Sequence, residues 1–104
     1  MNMIYIFSTL HKKDLAIKIG KGLLKGRTIA CYSLFPVESS YWWKGKILDE
    51  KETFMIIKTR KENFKKIEDY FKKHSDYEVP ELVTVKPDQV NIPYLNWVMN
   101  ETKT

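Results

Sequence analysis

The segment Tyr41-Trp42-Trp43-Lys44-Gly45-Lys46 places two adjacent indoles directly ahead of two lysines. Neighbouring strand residues point to opposite faces, so one indole is expected in the core and the other outside it. An outward indole on a small domain is usually covered by a second surface or a ligand. If the polar run Asp49-Glu50-Lys51-Glu52 is the turn of a hairpin, Leu48 pairs with Thr53 and Trp43 lies across from Lys58. Lysine over indole is a cation–π contact worth about 0.5–1 kcal/mol when exposed. The same pair could form half of a cleft for an anion, with Gly45 leaving room for the ligand. A purely structural hairpin is the plainer alternative.

The second segment is Asp76-Tyr77-Glu78-Val79-Pro80-Glu81. It joins a helix to a strand, and functional residues concentrate in such loops. Pro80 holds Val79 extended, which fixes Tyr77 and Glu78 in place. Either a binding role or a rigid connection with a surface carboxylate follows from this.

Soft and borderline metal donors are few: Cys31, His11, His74 and four methionines. No CxxC or HxxxH spacing occurs, so a closed structural zinc site is not supported. Cys31 sits among apolar strand residues, where a thiol is either buried and inert or a ligand. His74 falls in the last turn of a helix, where the dipole favours the protonated ring and so competes with metal binding. Catalytic signatures are missing: there is no nucleophile elbow, P-loop or dinucleotide fingerprint. Nothing in the sequence brings Cys31 to His74 as a nucleophile–base pair. The expectation is a binding protein without catalysis.

The elements that must position these groups follow from periodicity. Met3 to Phe7 reads as a buried strand. Lys12 to Lys25 has helical spacing, with Leu15, Ile19 and Leu23 on one stripe and Gly26 at its end. Gly20 and Gly22 weaken that helix by about 1 kcal/mol each relative to Ala. Thr28 to Phe35 is a strand that Pro36 should stop. Tyr41 to Leu48 and Thr53 to Arg60 form the hairpin. Glu62 to Ser75 is a second helix carrying Phe64, Ile67 and Phe71 inward. Leu82 to Lys86 is a last strand, and Pro93 opens a terminal helix with Tyr94, Trp97 and Val98 on one side.

The order β-α-β-β-α-β plus a helix is the split βαβ, ferredoxin-like plan: an α+β sandwich in a single domain over residues 1–104. Both main helices should then cover one face of the sheet. The first strand and the Phe54-Met55-Ile56-Ile57 run are apolar on both faces, so the uncovered face predicts an oligomer.

Charge adds little. The chain carries 18 basic and 13 acidic residues, a net +5, with 43% apolar content. Its lysines alternate with acids along the second helix, which reads as a solvated surface and makes nucleic acid an unfavoured partner. One cysteine suits a reducing compartment. Met1 to Phe7 shows no basic n-region or cleavage site, and no apolar run could span a bilayer. A cytoplasmic protein without a membrane partner is expected.

Taken together, these motifs resemble the CutA family of divalent-cation tolerance proteins. The resemblance rests on Ile4 to Thr9, Ala30-Cys31, Ser40 to Ile47, Ile56 to Thr59, Tyr77 to Glu81 and Tyr94 to Trp97, in the family's order. It implies a ferredoxin-like protomer in a tight homotrimer, similar in architecture to the PII signalling proteins. It also implies tolerance of copper, Cu(II), and other divalent cations, and no required cofactor. Carried over by position, Trp43, Lys44, Lys58, Tyr77 and Glu78 match inter-subunit cleft motifs, and Cys31 matches a frequent strand cysteine. Where the family often has His-Pro before Tyr-Glu, this chain has Ser75-Asp76. That leaves Cys31, His74, Asp76 and Glu78 as its metal donors, with Asp76 adding an oxygen.

The resulting expectation is divalent-metal binding, or coupling of a cleft ligand to metal homeostasis. One alternative is a PII-like sensor holding a small anion with Lys44, Lys58 and Arg60, although no phosphate-cradling glycine loop is present. The other is a nucleic-acid-binding module, but Glu52 to Thr59 lacks the aromatic strand motif such domains use.

Overall fold

The computed structural model describes residues 2–104. Its elements are β1 (Met3–Leu10), α1 (Lys13–Lys25), β2 (Cys31–Trp43), β3 (Lys46–Arg60), α2 (Phe64–His74, entered by a 3-10 turn over Lys61–Asn63), β4 (Val83–Val85) and α3 (Ile92–Glu101). The strands lie in the order β2-β3-β1-β4, every neighbour antiparallel. This is the ferredoxin-like α+β plan that the alternating periods predict.

Strand alternation divides the sheet cleanly. Ile4, Ile6 and Leu10 of β1 and Met55 and Ile57 of β3 face the helices and are buried with Ala16, Ile19 and Leu23 of α1 and Ile67 and Phe71 of α2. The opposite parity carries Tyr5, Phe7, Phe54 and Ile56, with Ser33 and Phe35 of β2 and Val83 and Val85 of β4 in register. Phe54 sits between Phe7 and Phe35, with ring centroids 5.5 and 5.2 Å away. The middle of this face stays open: Phe35 is 44% exposed and Val83 50%. α3 docks beside β1 and β3 at one end, where Arg60 donates to the Met99 and Thr102 carbonyls and to the Thr102 hydroxyl.

Two boundaries differ from the sequence reading, and both reshape the site. β2 does not stop at Pro36 but runs on to Trp43, with Pro36 paired to Thr53. Since β2 is the sheet edge, a residue without an N–H can point its bare side outward. The hairpin turn is Lys44-Gly45, not Asp49–Glu52. Both turn residues have positive φ, 49° and 80°, as a two-residue turn matched to strand twist requires. Trp43 therefore pairs with Lys46, and Lys58 pairs with Cys31 and Tyr5. The proposed Trp43–Lys58 pairing is incorrect.

Two smaller features are also corrected. Gly26 follows α1, but the left-handed residue is Arg27, at φ 59°. Gly20 and Gly22 are not merely weak points: a Cβ at Gly20 would strike the Tyr32 ring, and one at Gly22 the Tyr70 hydroxyl. Their lost helix propensity is offset by the close packing it permits.

Candidate functional site

The long hairpin and the α2–β4 connection enclose a cavity of about 490 Å³ at the end of the sheet away from α3. The shift of the turn creates it. With the turn at Lys44-Gly45, the run Asp49 to Glu52 is strand, and alternation sends Leu48, Glu50 and Glu52 to the same face as Tyr41 and Trp43. All five line the cavity. Thr9 and His11 come from the end of β1, and Asp76, Tyr77, Glu78, Val79 and Glu81 close it from the loop.

Tyr77 ties the loop to the sheet. Its hydroxyl donates a short hydrogen bond to the Glu52 carboxylate, and its oxygen stands 3.1 Å from His11 Nδ1. The two rings lie 4.9 Å apart. Ser75 Oγ accepts from the Tyr77 amide at 3.2 Å, which sets the loop's entry. Burial first, and then the Glu52 carboxylate, push the Tyr77 phenol above its ordinary range, so it stays a neutral donor. Partial desolvation and the neighbouring Glu50 carboxylate act the same way on Tyr41.

The site is acidic. Glu50, Glu52, Asp76, Glu78 and Glu81 line it, and neither lysine nor arginine does. His11 Nδ1 approaches Glu50 Oε2 to 3.3 Å, but the contact is not directed as a hydrogen bond. Glu50 Oε2 thus holds no well-directed hydrogen bond among the described residues, although His11 Nδ1 stands 3.3 Å away and the Tyr41 hydroxyl lies beside the same carboxylate; a cation or a better-placed donor would stabilise it. At the rim, Lys44 Nζ lies 5.5 Å from the Trp43 ring and 3.6 Å from Glu78 Oε2. The cation–π partner of Trp43 is therefore Lys44 rather than Lys58.

Of the residues read from sequence, Trp43, Asp76, Tyr77 and Glu78 come together and Lys44 joins them at the rim. Cys31 and Lys58 neither line the cavity nor lie near it. Cys31 begins the strand that Trp43 ends, about 40 Å away at the usual rise per residue. His74 also stands outside the cavity, stacked on Tyr70 with ring centroids 4.2 Å apart. Among the described residues, no three His, Cys, Asp or Glu side chains are spaced to hold a metal ion in the single chain. Arg60 is committed to α3, so Lys44, Lys58 and Arg60 do not converge on an anion. Of the two indoles, one of which was expected in the core, Trp43 lines the cavity and Trp42 is 72% exposed.

Sequence reasoning missed Glu50, Glu52 and Tyr41 as site residues, and counted His11 among the donors without placing it. The available signal was Lys44-Gly45, a glycine at the second position of a two-residue turn, which would have placed both glutamates on the Trp43 face.

An acidic, aromatic cavity thus stands at the open end of the sheet of a ferredoxin-like α+β fold. The model of the CutA1 divalent ion tolerance protein family matches residues 4–101, and the chain belongs to that family. A divalent-cation tolerance protein CutA from Thermotoga maritima is 40% identical over 96 residues, covering 92% of this chain and 95% of that one. The crystal structure of CutA1 from Pyrococcus horikoshii superposes with TM-score 0.92 at 38% identity, covering 97% and 99% of the two chains. A CutA structure from Archaeoglobus fulgidus, described as periplasmic, gives TM-score 0.94 at 31% identity over 97% and 99%.

Proposed function

We propose that this divalent-cation tolerance family member takes up a divalent cation, copper foremost, at the acidic cavity, without catalysis. The observation that supports this is Glu50 Oε2, which lacks a well-directed hydrogen bond, in a cavity lined by five carboxylates on a chain of net charge +5. Such a local reversal of sign attracts cations against the field of the whole molecule. Carboxylate oxygens and an imidazole suit divalent ions, and copper leads at almost any such donor set. Glu50, Glu52 and His11 are the inner donors in this reading, with Asp76 and Glu78 outside them. Cys31 and His74 leave the donor set.

Because the described residues of the single chain hold no ready three-donor cluster, binding requires either Glu52 to be released by Tyr77 or a donor from another copy. The second route agrees with a homotrimer in which subunits cover the open face around Phe35 and Phe54. That assembly, and a cytoplasmic location, belong to the same proposal; no helix among the described residues is long and apolar enough to cross a membrane.

Calorimetric titration of Cu(II) tests the assignment. Glu50→Gln and Glu52→Gln should each lower affinity about tenfold, the scale of a lost charge-assisted contact, while Cys31→Ser and His74→Ala leave it unchanged. The reverse pattern would return the site to the cysteine.

A further inference from the structure

The cavity's lining goes beyond what a bare metal ion would use. Beside its carboxylates it presents Trp43, Tyr41, Leu48 and Val79, side chains that offer a hydrated ion nothing but offer an organic cation apolar contact. The chain already places one primary ammonium there: Lys44 Nζ sits between the Trp43 ring and the Glu78 carboxylate, at 5.5 and 3.6 Å. Lys44 is held loosely, with its side chain 70% exposed, so a free ammonium can replace it. Deeper in, Glu50 Oε2, which holds no well-directed hydrogen bond among the described residues, offers a second position for an N–H donor. The Glu50 row and the Trp43–Lys46 row are two side-chain repeats apart on one face of the hairpin, about 13 Å along the strand. Leu48 and Tyr41 occupy the row between them.

We propose that this cavity binds a linear aliphatic polyamine. One terminal ammonium meets Glu50 and Glu52, the methylene chain lies over Leu48 and Tyr41, and the other ammonium takes the place of Lys44 between Trp43 and Glu78. A linear triamine spans the two anionic ends, and a monoamine does not. This rests on the cation-binding reading of the cavity but names a different chemical class for its ligand.

Calorimetry of the full chain with spermidine, with butylamine and separately with Cu(II), all at fixed ionic strength, tests it. Spermidine should bind saturably and butylamine should not. Trp43→Ala should weaken spermidine about fivefold, the fold-change of an exposed-to-partly-desolvated cation–π contact, and leave Cu(II) affinity unchanged. Trp43→Phe, which keeps an aromatic face at the hairpin tip, should recover most of the loss and guards against misfolding of the alanine variant. Lys44→Ala should tighten spermidine by removing the tethered competitor. The inference is overturned if spermidine gives no saturable heat, if butylamine binds equally well, or if Lys44→Ala weakens spermidine. Cu(II) binding without spermidine binding would sink the polyamine alone; spermidine binding without Cu(II) binding would sink the metal reading and leave this one standing.

Discussion

On its helix-covered side the sheet buries Ile6, Leu10, Met55 and Ile57 completely, while on the other side Phe35 keeps 44% of its surface and Val83 half. The two faces have similar apolar composition and come from the same strands. They differ in what lies over them: α1 and α2 cover one, whereas the other has only α3 at one end and the Tyr77 loop at the opposite end. The first face is a finished core whose value is packing. The second is divided into an apolar middle suited to another copy and an acidic end suited to a cation. The proposed binding cavity lies where the helix layer stops.

Charging the open face gives the largest expected change. Phe35→Glu should leave the protomer folded yet abolish the proposed assembly, and light scattering should fall to the 12.4 kDa of one chain; an unchanged oligomer would show that the face is not the interface. Phe71→Ala, made in the finished core where Phe71 is fully buried, should cost about 3–5 kcal/mol in urea unfolding. A loss below 1 kcal/mol would erase the distinction between the faces.

Gly45→Ala tests the hairpin that carries the site. Gly45 has φ 80° and nothing within 4 Å of an added Cβ, so the cost is backbone strain alone, about 1–2 kcal/mol, read from thermal unfolding. A neutral result would mean the turn is not held in this form.

The smallest effect is the alkaline response of Tyr77. Burial and the Glu52 carboxylate raise its phenol above the ordinary 10.0, so the folded state holds that proton more tightly than the unfolded chain does. The contribution is therefore complete below about pH 10 and is lost as pH rises toward the folded value. Stability of the native protein should fall more steeply above pH 10 than that of Tyr77→Phe. Parallel curves would mean the Tyr77–Glu52 tie contributes nothing to stability.

Where one period governed a segment, the sequence determined the outcome. Helical spacing over Leu15, Ile19 and Leu23, and over Ile67 and Phe71, fixed α1 and α2. Apolar runs fixed β1 and the inner half of β3, because burial demand is additive and readable from composition by face; the surplus of apolar faces is what motivates the proposed assembly. The Tyr77–Glu81 loop and Trp43 were singled out as unusual segments, and the structure brings them to one cavity.

Only the tertiary structure decided the cavity. Its glutamates sit in a charged run that mimics a turn, since a hairpin reaching past its helices has no core to impose apolar–polar alternation. The edge position of β2, which excuses Pro36, depends on strand order rather than on local sequence. The Tyr77–Glu52 and Tyr77–His11 contacts join three separate segments, and their pairing is set by antiparallel register, a long-range quantity that one chain's local pattern does not encode.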